Sequence, residues 1–436
     1  MKLTSTLVLL LPLILASFSA SLAAEEIPEK NGFSFDVSGD IHGGIAYIDN
    51  NTEDTYYPVQ LRLQAELNYD DNLSLTGRIN TVKAIDLEQS DDDNFMVDRL
   101  FFSWRNILLD HLALSFGRLP TMGNNSPAQL RMGLDRPESD LLAFTDIVMD
   151  GASLGYELRQ ENWIEQLTFY GASQYDYGYE GGDEGSLFED SEIYGINLTA
   201  SNKKDSTFIF QSFAINDIYN FHTDPAYPPP LLIAVDPVGG TATLVTPHYF
   251  VVNRTNLGNI YHTSMAYQAE NNDLSYFLAL GWSRTDGKNF DEMGTGLLTS
   301  WWDEPEEKDG YSFYTGLRYD FKDSRIKLGL EFNYGTENWI AFTAPDQFEI
   351  SKLATRGYAG EVFTIYELPT HAQGINLEKA FVRLGCQYLH YEYTGSGYWL
   401  GKPQDIDELK NDPLYAQFYV PVDHEQRLYL TADLYF

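Results

Sequence analysis

The sequence predicts an all-β protein: a transmembrane antiparallel β-barrel of about 16 strands, with 18 as the alternative count. Three observations carry this. Segments about ten residues long alternate apolar and polar side chains, as strands with lipid on one side and water on the other do. The connections between them run long, short, long, short along the chain. Past the N-terminal leader no stretch is long and apolar enough to cross a bilayer as a helix, so a membrane role has to use strands in a closed sheet.

The chain of 436 residues opens MKLTSTLVLLLPLILASFSASLAAEE. Lys2 gives a positive start, Leu7 to Leu15 an apolar run and Ser21-Leu22-Ala23 a small-residue cut site, which is the pattern of a secretory signal over residues 1–24. The barrel is then expected to occupy residues 25–436. No Cys lies near the cut, which argues against a lipid anchor. The single cysteine, Cys386, cannot form an internal disulfide, so sheet closure is the expected source of stability in this exported chain. Sixty-four acidic against 28 basic residues give a formal charge of −36, which argues against nucleic acid as a partner. Aromatic residues make up 14% of the chain, with 30 Tyr and 26 Phe, and fit the girdles of a bacterial outer-membrane barrel.

Strands are expected at approximately 33–48, 59–69, 73–84, 96–106, 112–118, 150–159, 166–173, 192–201, 206–215, 257–270, 274–284, 311–321, 325–335, 358–367, 377–393 and 425–436. In VQLRLQAELNY, Leu61, Leu63, Ala65 and Leu67 share one face and Arg62, Gln64 and Glu66 the other. RIKLGLEFNY repeats the pattern, with Leu328, Leu330 and Phe332 opposed to Lys327, Glu331 and Asn333. Asp70-Asp71-Asn72, Asn202-Lys203-Lys204-Asp205, Asn271-Asn272-Asp273 and Lys322-Asp323-Ser324 carry turn chemistry and are read as periplasmic turns. The longer connections, rich in Asp, Gly, Pro and Tyr, are read as external loops. The last strand, LYLTADLYF, is expected to close the sheet against the first. Its aromatic terminus resembles the signal that outer-membrane barrels present to their assembly machinery.

The segment DRLFFSWRNILLDHLALSFGRLPTMGNNSP, Asp98 to Pro127, resembles porin-type outer-membrane proteins of a family of unknown function. The features carrying the resemblance are Asp98-Arg99 before an aromatic strand, then Gly117-Arg118-Leu119-Pro120-Thr121. It implies a channel and leaves the solute open. Some relatives are thought to sheath electron-transfer cytochromes, so a barrel holding a multihaem cytochrome is the alternative reading.

A barrel of this strand number is too wide to be filled by wall side chains, so it is expected to pass small hydrophilic solutes unless a loop or partner plugs it. Strand parity puts Arg62, Arg78, Arg99, Arg105, Arg318, Lys327, Arg383 and Arg427 on the lumen side, with Glu66, Glu331 and Asp433 as the acids. That balance predicts mild anion preference or, if neighbouring carboxylates neutralise the bases, almost none. Arg118 falls on the lipid-side parity unless a bulge intervenes. Loop 119–149 is the candidate constriction, with Arg131, Asp135, Arg136, Glu138 and Asp140 nearest the solute. Loop 216–256 is a candidate plug or latch; alternatively Leu231–Val235 and Thr243–Val252 pair as an extra hairpin, which would raise the strand count to 18.

No cofactor is expected, although acidic external loops could bridge Ca²⁺ to lipopolysaccharide. A homotrimer is one assembly open to such a barrel. The chain is not expected to be an enzyme: neither HExxH nor CxxCH occurs. A barrel hydrolase would have to use a rim histidine such as His371, His390 or His424.

Overall fold

The computed structural model describes residues 32–50, 53–70, 72–85, 94–120, 148–159, 163–176, 191–202, 205–220, 233–235, 242–244, 255–291, 294–300, 303–342, 352–372, 375–411 and 421–436. The signal segment 1–24 and the loop residues Arg131, Asp135, Arg136, Glu138 and Asp140 lie outside these, as does most of loop 216–256.

Sixteen antiparallel strands close into one barrel. They are β1 (Phe33–Asp49), β2 (Glu53–Tyr69), β3 (Leu73–Ile85), β4 (Asn94–Arg105), β5 (Leu112–Pro120), β6 (Val148–Arg159), β7 (Ile164–Asp176) and β8 (Glu192–Ser201). The second half comprises β9 (Ser206–Tyr219), β10 (Asn256–Asn271), β11 (Leu274–Gly287), β12 (Glu307–Phe321), β13 (Ile326–Gly335), β14 (Gly357–Glu367), β15 (Lys379–Tyr391) and β16 (His424–Tyr435). Each strand pairs with its chain neighbours, and β16 pairs with β1 from Asp40↔Tyr435 to Asp49↔Gln426. Reciprocal backbone bonds between Gly39 and Phe436, at 2.8 and 3.0 Å, complete that seam.

Every expected strand is present. The largest boundary error is β2, which begins at Glu53 rather than 59. Pro58 hides the extension, because proline reads as a strand breaker. The ladder with β1 keeps one register across it, with Gly43↔Val59 on one side and Ala46↔Tyr56 on the other. The long-short alternation has two exceptions. The first long-side connection shrinks to residues 50–52, and the short-side connection 368–378 carries its own small pairing, His371–Ala372 with Ile375–Asn376. The inserted hairpin does form, Ile233–Val235 with Ala242–Leu244, but as a separate two-stranded sheet, so the barrel stays at 16.

Parity works as the sequence suggests. On β13, Leu328, Leu330, Phe332 and Tyr334 face outward and are 37–48% exposed, while Glu331 is 2% exposed. Phe33, Tyr69, Trp104, Phe116, Tyr276, Tyr311, Tyr319 and Phe321 add aromatic rings to the outer surface. In water such a surface would drive aggregation; in a bilayer it is the solvent-matched face.

Candidate functional site

The inner wall is divided into two sectors. Among the described residues of β6 to β11 no buried one is an acid, a lysine or an arginine, and toward the long-loop rim the wall is apolar: Met149, Ala172, Ile193, Phe213, Ile215 and Ile260 point inward and are buried. Three long-side connections, 288–306, 336–356 and 392–423, cover them with Leu297, Leu298, Ile340, Phe342 and Trp399. The fit is aromatic as well as aliphatic. His262 stacks on Phe213 at 5.1 Å between ring centroids and meets Phe342 at 5.7 Å and Trp339 at 5.4 Å. Trp339 donates its indole N–H to the Leu353 carbonyl, 2.8 Å away.

Arg356 fastens two of these loops together. Its guanidinium donates to the carbonyl oxygens of Trp339 at 3.1 Å, Thr394 at 2.9 Å and Tyr398 at 2.6 Å. Burial pulls it down to about 10, and the nearby Glu337 charge opposes that shift. At the outer edge Lys410, on the short helix Ile406–Asn411, pairs with Asp423 beside His424. The Lys410 ammonium is the main cause holding the Asp423 carboxyl down at about 2, with the His424 contact adding to it.

The second sector, on β12 to β16 and β1 to β2, is ionic. Glu331 and Glu361 stand directly opposite each other on β13 and β14, both inward and 2% and 1% exposed. Two like charges in that position repel. Lys352, in the 3-10 turn Lys352–Ala354 of loop 336–356, places its ammonium against both carboxylates. Tyr314 donates its hydroxyl to Glu331, Tyr429 donates to Glu361, and Gln387 donates to Glu361 at 3.1 Å. Asn333 donates to the Lys352 carbonyl at 2.9 Å, and the Tyr314 ring centroid lies 5.5 Å from the ammonium. Tyr429 reaches Glu361 across β15 by lying over Gly385, where a Cβ would overlap its ring.

The predicted lumen residues largely take their places. Arg62, Arg99, Arg318, Arg383 and Arg427 are inward and buried; Arg78, Glu66 and Lys327 are partly covered, and Arg105 is exposed near the short-turn rim. Most bases in contact have acidic partners on the wall itself: Arg62 with Asp40 at 2.8 Å, Arg318 with Asp320 at 2.7 Å, Arg427 with Glu425 at 2.6 Å, and Lys327 with Asp320 at 3.1 Å and Glu367 at 3.0 Å. Asp433 pairs with His42, and Arg383 lies over the Tyr429 ring at 5.1 Å. Sequence parity missed Asp40, Asp320, Glu361, Glu367 and Glu425; Arg318 and Arg427 already marked the faces that carry Asp320 and Glu425. Lys352 and Arg356 lie in a loop, where strand parity gives no signal.

Arg118 stays on the outward side, in an ion pair with Asp150 of β6 at 2.9 Å, and also donates to the Val97 carbonyl of β4 at 3.0 Å. Gly117 before it has φ of 124°, and a Cβ there would strike the Leu100 backbone. The Gly-Arg of the motif therefore ties three strands together where the register of β4 with β5 ends, at Leu100↔Arg118. Of the rim histidines, His390 and His424 are register partners on β15 and β16, and the His390 ring meets Tyr358 in a tilted contact at 4.8 Å. Among the described residues, no group of three His, Cys, Asp or Glu side chains is arranged to hold a metal ion.

The profile of a family described as "Protein of unknown function (DUF3373)" matches residues 83–436. No curated protein sequence matches the chain. Among solved structures, the chain is similar to OprB of Pseudomonas putida at high pH, with 12% identity, 92% of this chain and 94% of that chain covered, and a TM-score of 0.49. It is also similar to in-vitro folded OmpT of Vibrio cholerae, with 12% identity, 95% and 100% covered and a TM-score of 0.47. A third is Salmonella typhi OmpF in complex with daunomycin, with 9% identity, 94% and 100% covered and a TM-score of 0.46.

Proposed function

The chain belongs to that family of unknown function, and we propose that it is an outer-membrane pore for small hydrophilic solutes, exported by the leader at residues 1–24 and narrowed by its own inward loops. The observation that carries this reading is the segregation of the wall. Arg62, Arg383, Arg427, Glu331 and Asp433 face inward on strands whose outward neighbours are apolar, as in Leu428 at 53% and Leu430 at 41% exposed. A lumen lined by charge is a hydrated path or a protein-filled one, and the loops that enter it come from one rim. The cytochrome-sheath reading needs that volume for a partner; Trp339, Phe342 and Trp399 occupy part of it, which favours the pore.

Because wall bases meet wall acids, selectivity should be weak rather than strongly anionic. Purified protein in planar bilayers is expected to conduct without a partner, with a reversal potential near zero in a salt gradient. Conductance that appears only with an added redox protein would count against the pore, and strong cation preference of the unmodified chain would overturn the reading of a balanced wall.

A further inference from the structure

We infer that Glu331, Glu361, Tyr314, Tyr429 and Gln387 form a binding site for primary ammonium groups, filled in this conformation by Lys352, so that organic amines are solutes or effectors of the barrel. The inference rests on the pore reading for its biological sense and on the cage geometry for its chemistry. Lys352 comes from a loop, whereas the cage is built from five adjacent strands of the wall, β12 to β16. Glu331 lies four positions below the rim end of β13 at Gly335, and Glu361 four below the start of β14 at Gly357. At about 3.3 Å per residue, the two carboxylates sit roughly 13 Å along their strands from the rim, a distance the loop and the Lys352 side chain span together.

The cage is specific in its chemistry. Two carboxylates converge on one nitrogen, and each is held by a tyrosine hydroxyl that donates to it, fixing the acceptor positions before any ligand arrives. An aromatic face closes one side, as suits a cation. Gln387 is 1% exposed and spends its N–H on Glu361, while its carbonyl oxygen has no hydrogen-bond partner among the described residues. An ammonium has three N–H donors, two of which meet the carboxylates here, and one not tethered to the loop is free to turn its third to this buried acceptor. A hard divalent cation fits less well, since it asks for six or more oxygen ligands, and the tyrosine and glutamine groups here act on the carboxylates as donors.

The test uses the full chain in detergent. Lys352→Ala removes the part of the side chain equivalent to n-propylammonium, and calorimetric titration with n-propylammonium chloride measures whether the vacated cage takes it. Binding at least about tenfold tighter than in Lys352→Ala/Glu331→Gln/Glu361→Gln supports the site, and tetramethylammonium, which carries the charge but no N–H, should show a smaller ratio between the two. Heat-modified electrophoretic mobility checks that each variant is a folded barrel. In the unmodified chain, 1,4-diaminobutane should speed hydrogen exchange at residues 352–356 as it displaces Lys352. Equal propylammonium binding in the two variants overturns the proposal, as does a loop that diaminobutane leaves unmoved. Neither readout needs conductance, so a chain that binds amines but passes no current would sink the pore reading and leave the ammonium site standing.

Discussion

The two sectors of the inner wall hold the same loop by different physics. On β9 to β11, loop 336–356 docks as a small hydrophobic core: Ile340 and Phe342 bury against Phe213 and Ile260, and the contact has no charge to screen. On β13 and β14 the same loop docks through one ammonium between two carboxylates. The apolar dock supplies most of the binding energy and tolerates approximate fit. The ionic dock is costly to desolvate and depends on every partner being present, so it contributes position more than strength. A loop held at both places is anchored by the first and registered by the second.

The largest effect should come from the apolar dock. Phe342→Ala removes a ring buried among Phe213, His262 and Trp399, and a core truncation of that kind costs about 3–5 kcal/mol. Hydrogen exchange at residues 338–342 should accelerate accordingly, and raising the salt concentration should not change the ratio to the unmodified chain. Exchange that stayed slow at 338–342 would mean that the ionic dock alone suffices, and the division of labour would be wrong.

A smaller and more local effect is expected at Gly385. A methyl group there pushes Tyr429 off its path to Glu361, an overpacking cost of about 1–3 kcal/mol. Gly385→Ala should loosen residues 352–355 while leaving 338–342 as protected as before. If both stretches loosened together, the two docks would be one cooperative unit.

The contrast between sectors also shows what the sequence could convey. Strand positions and facing were legible because period-two alternation reports which side chains share a face, and β13 and β16 follow it residue by residue. Polarity was a poorer guide to what the inward face would meet. On β14, Phe363 and Ile365 point inward as Glu361 does, so GYAGEVFTIYE shows no clean alternation and Glu361 could not be picked out. On β6 to β11 the inward apolar residues make sense only once loops 288–306 and 336–356 cover them. Those contacts join residues far apart in the chain, and no local pattern encodes them. Arg118 shows the opposite case: its outward parity was readable, but its reason, a clasp across β4, β5 and β6, needed the register.

The smallest effect lies outside both docks and separates them from the rim. Asp423 is held down at about 2, mainly by Lys410, against roughly 4 for a carboxyl in an unfolded chain. A depressed folded value means that the clip's contribution is fully present above about pH 4 and is lost as pH falls toward 2. The groups are partly exposed, so solvent screening keeps the contribution small. Hydrogen exchange of helix Ile406–Asn411, corrected for intrinsic rates, should therefore rise between pH 5 and pH 2.5, and Asp423→Asn should abolish that rise. Residues 338–342 pack on the buried His262, which acid can charge, so they are compared at one pH: Asp423→Asn should leave their exchange unchanged, and if it sped that exchange, the rim clip would be what keeps the loops inside the barrel.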